Sequence, residues 1–179
     1  EWALVADGVD IKDVYTVPAT PEGVHRALAK LDSIKEDAAW WEAGAQPPQL
    51  LSDGQVILTS AWNGRIYSAA HADKKPFVVL WDHQALDWQG WNVVKGAKNR
   101  DAAYRFIAFA GRPDRQADQT NYISYGPGNK EAIKNTNPSI TPDLPTRPDN
   151  MKTAFIINAS FWADNLDTLR ESFNVWVAQ

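Results

Sequence analysis

The sequence predicts an α/β fold, a mainly parallel sheet covered by helices. Three observations carry that expectation. The apolar runs at residues 56–60 (VILTS) and 76–81 (PFVVLW) are near-continuous, as in strands buried on both faces. Segments with helical spacing alternate with them, which is the pattern of βαβ units. Breakers such as Asp53-Gly54, Asn63-Gly64 and Lys95-Gly96 mark the joints.

Taken in order, Glu1-Trp2-Ala3-Leu4 reads as the middle of a helix without an initiating Met, so the natural N-terminus is expected further upstream. Thr20 is an N-cap followed by Pro21 at the first helical position, and Val24, Leu28, Leu31 and Ile34 carry the helix to Lys35. Residues 38–41 form a short strand, 46–52 a short helix opened by Pro47-Pro48, 56–60 a strand, 63–72 a helix and 76–81 another strand. After Asp82 the texture turns polar and aromatic. Residues 91–94 then read as a strand, and Asn99 caps a helix whose Ala103, Phe106, Ile107 and Ala110 share one face. Arg112-Pro113 ends it, and 114–122 read as a second short helix. Tyr125-Gly126-Pro127-Gly128-Asn129 is a turn. Pro138, Pro142, Pro145 and Pro148 make residues 135–150 an extended connection. A helix over 164–177, with Leu166, Leu169, Phe173 and Trp176 in three- and four-residue steps, closes the chain.

At 179 residues the chain is long enough for a substantial core in one domain or two small lobes. Its net charge of -4 and the absence of a basic run longer than Lys74-Lys75 argue against a nucleic-acid or anionic-membrane surface. It has no cysteine, which removes disulfides, thiolate metal sites and Cys nucleophiles. No apolar segment reaches the ~20 residues that span a bilayer. Tryptophan is the outlier, with nine copies against one Met. Trp40, Trp81, Trp91 and Trp176 lie in apolar runs and are expected to pack, whereas Trp62, Trp88 and Trp162 sit at element ends, where a ligand is reached.

His25, His71 and His83 are isolated in sequence, with no paired-ligand spacing for zinc. No phosphate-binding or dinucleotide-binding glycine loop and no nucleophile elbow is present, so no cofactor is implied. The most informative stretch is GQVILTSAWNGRIY, from Gly54 to Tyr67. Its strand is expected to deliver Trp62 and Arg65 to the strand's C-terminal end, the edge at which open α/β sheets bind ligands. Glu42 and Asp87 both flank tryptophans, which leaves open a carboxylate-pair glycosidase. Tryptophan faces also suit a sugar-binding importer component or a carbohydrate-binding module.

Four segments, WWEAGAQPPQLLSDGQVILTSAWNGRIY, LDWQGWNVVKGAKNRDAAYRFIAFA, NYISYGPGNKEA and FWADN, resemble in order the extracytoplasmic solute-binding proteins of ABC importers related to spermidine- and putrescine-binding proteins. The resemblance implies a periplasmic-binding-protein-like fold of the type II, two-lobed kind, of which this chain looks like the C-terminal half. Residues 1–87 then correspond to the second lobe, 88–136 to the returning part of the first lobe, and 137–179 to the return to the second lobe with its C-terminal helix. It implies a periplasmic binding protein without catalysis, whose partners are a small-molecule solute, a membrane permease and the missing N-terminal half of the same protein.

The same resemblance places Trp62 and Trp88 against the ligand and Tyr125 facing the cleft. It also puts Trp162 at a ligand-facing tryptophan, here followed by Ala163 where polyamine binders have glutamine, and Glu1 at an amine-holding glutamate. The chain departs from polyamine binders at Gln89-Gly90, where they carry a carboxylate. Arg65 adds a cation that would repel a polyamine and suits a carboxylate, and Asp87 remains as an ammonium partner. The expected solute therefore carries an amine and, through Arg65, a carboxylate, as γ-aminobutyrate does.

Overall fold

The structure, a computed structural model, describes all 179 residues, Glu1–Gln179. In chain order the helices are α1 (Trp2–Ala6), α2 (Pro21–Asp32), α3 (Gln46–Ser52), α4 (Asn63–His71), α5 (Arg100–Ala110), α6 (Pro113–Gln119), α7 (Lys130–Ile133) and α8 (Ala159–Val177). The strands are β1 (Ala85–Leu86) and β2 (Phe155–Ile156). The chain forms two compact units, one of Glu1–Trp40 with Phe155–Gln179 and one of Trp41–Ala154.

In the first unit α2 starts where its caps require. Thr20 takes an extended conformation and its hydroxyl accepts a hydrogen bond from the Gly23 N–H at 3.2 Å, with Pro21 at the first position. Thr20→Ala should lower the stability of the unit by about 1 kcal/mol, read as a lower melting temperature. Helix α8 begins at Ala159 rather than near Asp164, because the Asn158 side chain accepts from the Phe161 N–H at 3.0 Å and caps it. Leu4, Val14, Phe155 and Trp176 are buried in this unit. Trp176 donates its indole N–H to Asp32 at 2.7 Å, Lys35 lies over its ring, and Trp40 meets it edge-on at 5.4 Å.

In the second unit Ile66 and Ala69 of α4, Ala117 of α6, Ala132 of α7, Ile140 and Leu144 are buried. Residues 135–150, expected as an extended connection, are instead a compact coil with a 3-10 turn at Thr141–Asp143. Prolines deny the segment backbone donors, and side-chain amides supply them. Asn150 donates to the carbonyls of Pro142 and Leu144, at 3.1 and 2.9 Å, and Gln84 donates to those of Pro145 and Asn150, at 2.8 and 2.7 Å.

The expected strands at 38–41, 56–60, 76–81 and 91–94 are not strands here. A ladder needs a neighbour whose N–H and C=O groups it can pair, and none of these runs has one in this chain. Some of their side chains are correspondingly uncovered: Ile57 is 99% exposed and Val78 82%, whereas Phe77, Val79 and Trp81 are half-buried. Trp91, expected to pack, is 67% exposed and meets only the edge of Phe106, at 5.1 Å.

Candidate solute-binding residues

At the start of α4, in the second unit, the Trp-Asn-Gly-Arg motif divides its labour. Trp62 is the N-cap, with extended backbone (φ -69°, ψ 124°) and no capping side chain, so its ring leaves the helix and stays 56% exposed. Trp41 meets that ring edge-on at 6.2 Å, and the ring lies against Gly44, where any Cβ would overlap it. Asn63 turns away and donates to the Ser124 carbonyl at 2.6 Å and to its hydroxyl at 3.2 Å; Ser124 is buried. Gly64 allows the close approach that follows: a Cβ there would lie 2.8 Å from both the Tyr125 ring and Ile123. The motif thus brings Tyr125 to the first turn of α4, against Gly64. Arg65 continues the helix, its N–H bonded to the Trp62 carbonyl at 2.9 Å, while its exposed guanidinium has neither ion pair nor hydrogen bond.

Asp87 and Trp88 directly follow β1 in the same unit. Asp87 is exposed and its carboxylate accepts from the Trp88 N–H at 2.8 Å, and Trp88 is 67% exposed. No ion pair joins Asp87 to Arg65.

Glu1 and Trp162 belong to the other unit, where they meet: the Trp162 indole N–H donates to Glu1 Oε1 at 2.8 Å. Tyr15 joins them, its ring 5.3 Å from Phe161, which in turn meets Trp162 edge-on at 5.9 Å. The Tyr15 hydroxyl is buried beside the Asn158 N–H, the Glu1 carboxylate and the Trp162 indole, yet makes no hydrogen bond of proper geometry with any of them. Burial pushes the phenol up to about 12; the Asn158 N–H opposes the shift and the Glu1 charge adds to it. Because the folded value is the higher one, the stability of the fold falls as pH rises from the ordinary tyrosine value towards 12 and the buried phenol is forced to ionise. In an ultraviolet titration one of the five tyrosines should ionise late, and Tyr15→Phe should remove that step.

On another face of α4 in the second unit, a cavity of about 260 Å³ is lined by Asn63, Ile66, Tyr67, His71, Phe77 and Asp143 among others. His71, isolated in sequence, is not isolated in space: Nε2 lies 3.3 Å from Asp143 and Tyr67 stacks on the imidazole at 4.2 Å.

The family follows from comparison. Residues 1–148 match the family model of the bacterial extracellular solute-binding proteins. The chain belongs to that family. A Pseudomonas aeruginosa protein described as a gamma-aminobutyric acid-binding protein is 44% identical over 179 residues, 100% of this chain and 51% of its own length. Among solved structures, that of the Atu4243-GABA receptor aligns with a TM-score of 0.78 at 33% identity, covering 99% of this chain and 53% of its own. The MotA binding protein of A. tumefaciens B6, in complex with glucopine, aligns at 0.84 and 30%, covering 98% and 55%. The chain therefore has the fold of part of a type II periplasmic binding protein and spans about half the length of these solute-binding proteins. No helix is long and apolar enough to cross a membrane.

For this member of the solute-binding family, some of what positions the candidate residues escapes sequence reasoning. Asn63 and Gly64 signal only a helix start, and nothing local says that they hold Ser124 and Tyr125. Gly44 carries a weak signal, a glycine just after Trp40-Trp41, whereas Tyr15 carries none.

Proposed function

We propose that this chain is part of the solute-binding protein of an ABC importer and captures a small amine-bearing solute, an amino-carboxylate of the γ-aminobutyrate type. The observation that carries the reading is Arg65: an unpaired cation one helical step from the exposed Trp62 ring. A guanidinium without an internal partner is available to a carboxylate, to which it makes paired, charge-assisted hydrogen bonds. The 44% identity to a gamma-aminobutyric acid-binding protein over the whole chain supports the same solute class.

In this reading Trp62 and Tyr125 pack against the aliphatic part of the solute, Arg65 takes the carboxylate, and Asp87, next to Trp88, takes the ammonium. Trp162 is the solute-facing group of its own unit, and Glu1 holds its indole. Residues 1–87 and 137–179 form one lobe of the whole protein and 88–136 part of the other. The N-terminal half of the longer protein covers the bare runs at 56–60 and 76–81. The protein works in the periplasm, delivers its solute to a membrane permease and performs no catalysis.

A thermal-shift screen of the full-length protein tests the class of solute, because a ligand that binds only the folded state raises the melting temperature. γ-Aminobutyrate should raise it more than putrescine or glucose. A larger shift with glucose would favour the sugar reading.

A further inference from the structure

The solute reading leaves the Tyr15 hydroxyl unexplained. Buried hydroxyls are nearly always hydrogen-bonded, because leaving water without a new partner is costly. Phenylalanine at this position would keep the ring contact with Phe161 and remove the deficit. The fold therefore carries a destabilising oxygen beside Glu1, and Glu1 is the residue that holds the Trp162 indole at 2.8 Å through Oε1.

We propose that Tyr15 is a positioning residue for solute binding: its hydroxyl acts through the second oxygen of Glu1 to fix the Trp162 indole when the solute engages. The inference rests on the reading of Trp162 as a solute-facing residue. A carboxylate has two acceptor oxygens, so Glu1 can keep the indole N–H on one while receiving the Tyr15 O–H on the other. In this structure the hydroxyl is unpaired although Glu1 lies beside it. A hydrogen bond made only in the bound state contributes entirely to affinity, since a ligand gains from contacts that differ between free and bound forms. The phenol suits this role as donor: Glu1 and the buried setting keep it protonated far above neutral pH.

The test compares wild type with Tyr15→Phe, Glu1→Gln and the double variant in the full-length protein. Melting temperature is measured without solute, and affinity by calorimetry for γ-aminobutyrate and for putrescine. Tyr15→Phe should melt at the same or a higher temperature, yet bind about tenfold more weakly, the weight of one hydrogen bond. In the Glu1→Gln background its effect should shrink, because the two act as one unit. A purely structural role would lower stability and affinity together, and that result overturns the proposal, as does an affinity within twofold of wild type or strictly additive effects. Wild-type protein that binds putrescine and not γ-aminobutyrate overturns the amino-carboxylate reading, while the Tyr15 comparison is then read with putrescine. Wild type that binds neither overturns both.

Discussion

Arg65→Ala in the full-length protein should weaken γ-aminobutyrate binding by about 30-fold, corresponding to ~2 kcal/mol for a charge-assisted pair lost from a site closed off from water. The guanidinium has no internal partner, so its removal leaves no orphaned carboxylate in the protein and costs the fold little. Stability and affinity should therefore separate, with the melting temperature nearly constant while binding falls. Arg65→Lys should restore only part of the loss, because an ammonium cannot make the paired fork that a guanidinium makes to a carboxylate. Putrescine should respond in the opposite sense, since a repelling cation has been removed. Calorimetry with both solutes reads these signs, and an unchanged γ-aminobutyrate affinity in Arg65→Ala would remove Arg65 from the site.

The second large effect is expected at Gly64. Within an exposed helix, Gly→Ala normally stabilises by up to about 1 kcal/mol. Here the added methyl would stand 2.8 Å from both the Tyr125 ring and Ile123, inside any real contact distance. Overpacking of this kind costs ~1–3 kcal/mol, so the loss outweighs the helical gain. Gly64→Ala should thus lower the melting temperature and, by displacing Tyr125 from the first turn of α4, weaken solute binding as well. A melting temperature above wild type would mean that Tyr125 does not sit against this turn.

Helix starts are legible in the sequence because caps are local. Thr20-Pro21, Pro47-Pro48 and Asn63-Gly64 each open a helix where their chemistry requires it. Asn158 is the exception that shows the limit: it caps α8 before the apolar steps begin, where the periodicity gives no sign of a helix. The strands depend on neighbours that no local pattern supplies, so apolar runs such as 76–81 remain unpaired, with Val78 and Leu80 exposed. Trp62 and Arg65 were accessible to sequence reasoning as the residues around a strand-end breaker. What fixes them was not, because Ser124, Tyr125 and Gly44 reach the motif only through tertiary contact. The same holds for His71 with Asp143 and for Tyr15 with Glu1.

The most direct measurement is a crystal structure of the full-length protein with γ-aminobutyrate. The solute carboxylate should lie about 2.7–2.9 Å from the Arg65 guanidinium nitrogens, with its methylene chain on the Trp62 ring. A bound solute whose carboxylate is held elsewhere, with Arg65 still in solvent, would contradict the assignment of this surface to an amino-carboxylate.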